Sequence, residues 1–135
     1  MTSPTEGMLR LYEVPDSGMS VAIEDDGRVA YAYLKQHGKI VADVWLYNVV
    51  PTPNEITWTD PVQMPFLNPR RYCAQAEFQR IEPDTDVTCT LVSEHVEVRV
   101  EGQLIARLRP GIRPGWSRLA RISGPLAEPL DRSST

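Results

Sequence analysis

Apolar residues in this chain alternate with polar ones far more often than they recur at helical spacing. Before residue 116 no ten-residue stretch carries apolar side chains at i, i+3, i+4 and i+7. Runs rich in β-branched and aromatic residues recur instead, separated by the turn sequences PDSG, DDGR, QHGK, PDTD and EGQ. The pattern predicts strands near 8–14, 19–25, 28–36, 39–48, 71–80, 87–93, 95–100 and 104–109. Links this short join antiparallel neighbours, because a parallel crossover needs about a dozen residues or more. The expected fold is therefore all-β: a single antiparallel sandwich or barrel of about eight strands in sequential hairpins. Residues 117–122 predict one short helical turn ended by Gly124-Pro125, and the tail at 123–135 is expected to fray. The whole chain, 1–135, reads as one β domain with its core within about 8–122.

Hairpin registers assign faces. A two-residue turn at Asp26-Gly27 sets Ile23 opposite Ala30 and Val21 opposite Ala32. A second at His37-Gly38 sets Ala30 opposite Trp45, Ala32 opposite Asp43 and Leu34 opposite Val41. One face then collects Met19, Val21, Ile23, Ala30, Ala32, Leu34, Val41, Asp43 and Trp45, with Asp43 as its only break. The other collects Ala22, Val29, Tyr31, Tyr33, Ile40, Ala42, Val44 and Leu46. A buried carboxylate without a partner costs several kcal/mol or takes up a proton, so this register requires a cation near Asp43. Arg70 and Arg71 are the expected donors.

A sheet apolar on both sides needs two covers. A second sheet supplies one, and the stretch 49–70 is expected to supply the other. Its five prolines exclude a central strand, while Ile56, Trp58, Val62, Met64, Phe66 and Leu67 are too apolar to leave wet.

The later strands have one wet and one dry side. Val96, Val98 and Val100 are expected to meet Leu104, Ala106 and Leu108 across EGQ, with Glu97 opposite Arg107. The same alternation puts Cys89 inside and Cys73 outside, on faces too far apart for a disulfide.

Composition adds limits. The chain is 41% hydrophobic and 24% charged, with net charge −4, which argues against general attraction to nucleic acid or anionic lipid. No apolar run approaches the ~18 residues that span a bilayer. The opening MTSPTEGMLR has neither a basic nor an apolar leader region, so a cytoplasmic, reducing location is expected. Twelve arginines against two lysines, with many alanines and prolines, suggest a bacterial source. Residues 99–121 hold six arginines and one acid, whereas 1–98 hold fifteen acids and seven bases. Packing of these segments against each other would largely cancel the asymmetry.

Catalytic patterns are lacking. His37 and His95 lie at turns outside any metal-ligand spacing, and no nucleophile elbow or phosphate-binding glycine loop occurs. In the expected register Glu24 and Asp43 occupy opposite faces, which disfavours a paired-carboxylate site. No catalytic residue, cofactor or metal is therefore assigned. The expected function is non-catalytic protein binding, of inhibitor, immunity or adaptor type, through Trp58, Phe66, Arg70 and Arg71. A secondary basic patch comprises Arg107, Arg109, Arg113, Trp116 and Arg118; its arginine–aromatic mix resembles single-strand nucleic-acid sites, but the acidic balance favours internal pairing. The alternative is a small-molecule site with Asp43 as the polar group and Tyr31, Tyr33 and Trp45 as walls.

Overall fold

In the computed structural model, residues 8–27, 29–48, 81–82, 84–112, 114–121 and 126–130 are described. They form nine strands and, among the described residues, no helix. Strands β1 (Met8–Val14), β2 (Met19–Asp25), β3 (Val29–Gln36) and β4 (Lys39–Asn48) make one sheet in sequence order. Strands β5 (Val87–Val92), β6 (His95–Val100), β7 (Gln103–Leu108), β8 (Trp116–Ser117) and β9 (Glu128–Pro129) make the second, also in order. The two are separate sheets rather than a closed barrel, and they share one core. Val21, Ile23, Ala32, Leu34 and Val44 of the first sheet cluster with Val96, Val98, Ala106 and Leu108 of the second.

Seven of the eight expected strands appear within about a residue of their predicted limits; the one expected at 71–80 lies outside the described residues. The reason is local. Alternation marks the strands, and the connections adopt the backbone their sequences favour. His37 and Gly38 have φ of 54° and 77°, and Glu101 and Gly102 have 51° and 82°. Two successive positive φ values make the tight turn whose twist matches a hairpin.

Two expectations about the chain's end are corrected. The described part of the predicted helical turn, residues 117–121, is not helical: Trp116 and Ser117 form β8, which pairs with β7. Residues 126–130, expected to fray, are built into the fold, with Leu126, Ala127 and Leu130 buried. They form β9 parallel to β8, the one parallel pairing among the described strands. Glu128 N donates to Gly115 O at 2.9 Å and Leu130 N to Ser117 O at 3.1 Å. Pro129 falls between these two donors, where a strand loses nothing by lacking an N–H.

Residues 111, 115 and 126 together cover the free edge of β4. Gly111 N, Gly115 N and Trp45 N make hydrogen bonds to Val41 O, Asp43 O and Leu126 O respectively, at 2.8, 2.8 and 3.0 Å. Three separate pieces of chain thus satisfy an edge that would otherwise offer itself for pairing.

The register of β3 and β4 departs from expectation and reverses the placement of Asp43. Pairing starts as expected at Gln36↔Lys39 and Lys35↔Ile40, then shifts so that Leu34 meets Ala42 and Tyr33 meets Asp43. Val41 is the extra residue of this bulge. A second shift follows Tyr31↔Trp45, making Leu46 extra and setting Ala30 opposite Tyr47. Ala42, Val44 and Tyr47 therefore enter the core face, while Asp43 and Trp45 join Tyr31 and Tyr33 on the other. Trp45 consequently faces Tyr31, not Ala30. A single inserted residue exchanges the two faces of a strand. Here it removes a carboxylate from the core, where desolvation would cost several kcal/mol.

The β2–β3 register is also displaced, by two residues, with Ile23 opposite Ala32 and Val21 opposite Leu34. A two-residue displacement keeps every face assignment. Its cause is a longer connection held by carboxylates: Asp25 Oδ1 accepts from Gly27 N at 2.9 Å, and Asp26 Oδ1 from Val29 N at 3.0 Å.

Candidate functional site

The outer face of the first sheet holds most of the described candidates. Its rows follow from the registers: Leu9, Glu24, Tyr31 and Trp45 in one, and Leu11, Ala22, Tyr33 and Asp43 in the next. The structure thus gathers Tyr31, Tyr33, Asp43 and Trp45 on one face, although the expected register separated them. Glu24 and Asp43 share that face too, so the face argument against a carboxylate pair no longer holds. They lie two strands apart, with the tyrosines of β3 between them.

Tyr31 and Tyr33 stack, their ring centroids 6.0 Å apart at an interplanar angle of 18°. A recess of about 100 Å³ beside them is lined by Glu24, Asp26, Val29, Tyr31 and Tyr33. Burial pushes both phenol pKa values up. The neighbouring Tyr33 and the carboxylates of Asp43 and Asp26 add to this at Tyr31, as do Glu24, Asp43 and Asp26 at Tyr33. Both rings therefore stay protonated near neutrality, as neutral π faces bordered by carboxylates. Such a surface suits a cation, which aromatic faces and carboxylates both attract.

Trp45 has a different part. It is fully buried, and its Nε1 donates to buried Asn48 Oδ1 at 2.8 Å. That bond satisfies the indole, making Trp45 a foundation for the face rather than a wall open to ligand.

At the other end of both rows, Leu9 and Leu11 are 64% and 65% exposed. Sequence reasoning missed these two, because in LRLYEV either alternate set could serve as the buried one. The burial of Val14 on the set opposite to Leu9 and Leu11 decides the matter.

The basic patch on the second sheet is largely engaged. Arg107 Nη2 and Arg99 Nη2 reach Glu97 Oε2 and Oε1 at 3.1 and 3.2 Å, and Arg109 Nη2 reaches Glu94 Oε2 at 2.9 Å. Glu97 lies opposite Arg107 as expected. Trp116 meets His95 edge-on, with centroids 5.4 Å apart. Burial, then Arg107 and Arg109, push the His95 pKa down. Trp58, Phe66, Arg70, Arg71 and Arg113 lie outside the described residues, and with them the expected arginine partner of Asp43.

Cys89 is buried and free, as the strand alternation required, while Cys73 lies outside the described residues. Burial pushes the Cys89 thiol up to about 12. In the native protein at pH 8 Cys89 is expected to resist alkylation, since the thiolate is the nucleophile. Peptide mass spectrometry after iodoacetamide treatment should show it modified only when denaturant is present.

No group of three or more His, Cys, Asp and Glu among the described residues could hold a metal ion. No helix among them is long and apolar enough to cross a membrane. Compared with known proteins, the chain matches no family model, no curated protein and no solved structure.

Proposed function

We propose that this protein is a non-catalytic binding domain whose partner is another protein, docked on the outer face of the first sheet. The exposure of Leu9 and Leu11 on one face of β1, with Leu9 opposite Glu24, carries this reading; the recess lined by Glu24, Asp26, Tyr31 and Tyr33 lies further along the same face. Adjacent exposed leucines on an otherwise well-buried sheet gain by being covered. The acidic, tyrosine-lined recess selects what covers them: a segment presenting aliphatic side chains beside an arginine or lysine. The proline-rich stretch 49–70 is assigned to the Trp45 side of the same face, with Trp58, Phe66, Arg70 and Arg71 as its contributors. A bacterial cytoplasmic setting and an inhibitor, immunity or adaptor role complete the proposal.

A second reading has its own support, because the recess is large enough for a small organic cation acting alone. Selection from a random peptide display library separates the two. The protein reading expects enriched sequences that combine basic and aliphatic residues. Their binding should fall at least tenfold in Leu9→Asp/Leu11→Asp and in Tyr33→Ala, with melting temperatures preserved; Trp58→Ala and Arg71→Ala test the loop. Acidic or random enrichment, or peptides that bind every variant equally, removes the docking face. Ethylguanidinium perturbing the Tyr33 resonances without any peptide selection favours the small-molecule reading.

A further inference from the structure

The basic cluster on the outer face of the second sheet takes no part in that docking face. Val92, Thr90 and Thr88 of β5 lie opposite His95, Glu97 and Arg99 of β6, and Arg107 lies between Glu97 and Trp116. Val92 is exposed and Trp116 half-buried. Around them Arg99, Arg107 and Arg109 meet two carboxylates, because Glu97 serves the first two and Glu94 the third. The cluster therefore keeps one positive charge in excess, and the Arg99 and Arg109 side chains are 39% and 41% exposed.

The outer face of the first sheet is its complement. Leu9 and Leu11 stand exposed, with Glu24 opposite Leu9 and Glu13 following on the same side of β1. Both glutamates are exposed as well. Lys35 shares this face but lies two strands away, beyond Ser20. Leucines beside carboxylates thus look out from one sheet, and arginines beside valine and tryptophan from the other. The two sheets share one core, so their outer faces point in opposite directions. One copy cannot bring them together; two copies can.

We infer that a second copy of this chain docks its Arg99–Arg107–Arg109 face on the Leu9–Leu11 face of the first. The inference rests on the leucine face being the docking surface proposed above. It adds a regulator of that surface, since any other partner must displace the neighbouring copy. Opposite charges steer the encounter and fix its orientation, while burial of the leucines against Val92 and Trp116 supplies attraction. A contact between two different patches leaves one of each free at the ends, so the assembly grows head to tail instead of stopping at a symmetric dimer.

The test is sedimentation velocity of the full chain across a concentration series at low and high salt. Average mass is expected to rise with concentration past that of a dimer. The rise should shrink at high salt, where exposed charges are screened. Leu9→Asp/Leu11→Asp breaks one patch and Arg99→Glu/Arg109→Glu the other; each alone should weaken association about tenfold or more. Mixed together, the two variants retain one intact junction and should form a one-to-one complex that grows no further. Should either variant melt below the parent, Leu11→Asn or Arg109→Gln replaces it. A parent that stays monomeric across the low-salt series, association indifferent to salt, or a mixture no more associated than its components overturns the inference. Library peptides that still bind the leucine face of a monomeric parent overturn self-association while leaving that face as a docking surface.

Discussion

Valine in place of Gly115 is expected to leave the protein largely unfolded at physiological temperature. A Cβ at this position would sit 2.7 Å from Arg107 O and 3.2 Å from both Leu108 Cδ2 and Val44 Cβ. The first of these is backbone of β7, which no rotamer change can move. Gly115 N donates to Asp43 O at 2.8 Å, and Gly115 O accepts from Glu128 N at 2.9 Å. One residue without a side chain therefore lets β4, β7 and β9 approach, and any Cβ drives them apart. Overpacking typically costs about 1–3 kcal/mol. Alanine should reach the upper end and lower the melting temperature by about 12 °C. Valine adds further clashes against a total stability of only about 5–15 kcal/mol. Thermal unfolding followed by far-ultraviolet circular dichroism checks both. An alanine variant melting with the parent would show that these strands are not clasped here.

Loss of the Asp25 carboxylate is expected to cost about 3 kcal/mol, the second large effect. Asp25 is 1% exposed, one of three buried polar residues among those described. Oδ1 accepts from Gly27 N and Oδ2 from the Tyr47 hydroxyl, which in turn accepts from Ile81 N. This short chain of hydrogen bonds joins the β2–β3 connection to the end of β4 and to residue 81. Asp25→Ala takes the acceptor from Gly27 N and the Tyr47 hydroxyl, whereas Tyr47→Phe takes a donor from Asp25 Oδ2 and the acceptor from Ile81 N. Urea unfolding of both variants and of the double variant should show non-additivity of at least about 1 kcal/mol. Strict additivity would mean that the two residues act separately.

The elements of this fold were legible because they depend on neighbours in the chain. Alternation located β1 to β7, and His37-Gly38 and Glu101-Gly102 adopt the turns their residue types favour. The pairing of Val96 with Leu108, Val98 with Ala106 and Glu97 with Arg107 was equally open to reading, since a tight turn transmits its register outward. That rule failed at Val100, which meets Gln103 rather than Leu104, because the Ile105 bulge lies between. Cys89 went inside for the same reason as its neighbours on that face.

The candidate site was less legible. Tyr31, Tyr33, Asp43 and Trp45 stand out as residue types, but their common face depends on one extra residue at Val41. Leu9 and Leu11 carried no signal at all, since exposure is a property of what fails to cover them.

Composition, strand positions, turns and the burial of Cys89 follow from the order of residues alone. Local geometry has few options, and those choices are made within a few positions. Which face Asp43 joins, how β8 and β9 form, and why residues 126–130 are buried were decided only in three dimensions. A bulge adds one residue without changing the alternation on either side of it. The core chooses among such insertions by excluding the carboxylate and admitting Val44, and no window along the chain contains the partners that make that choice.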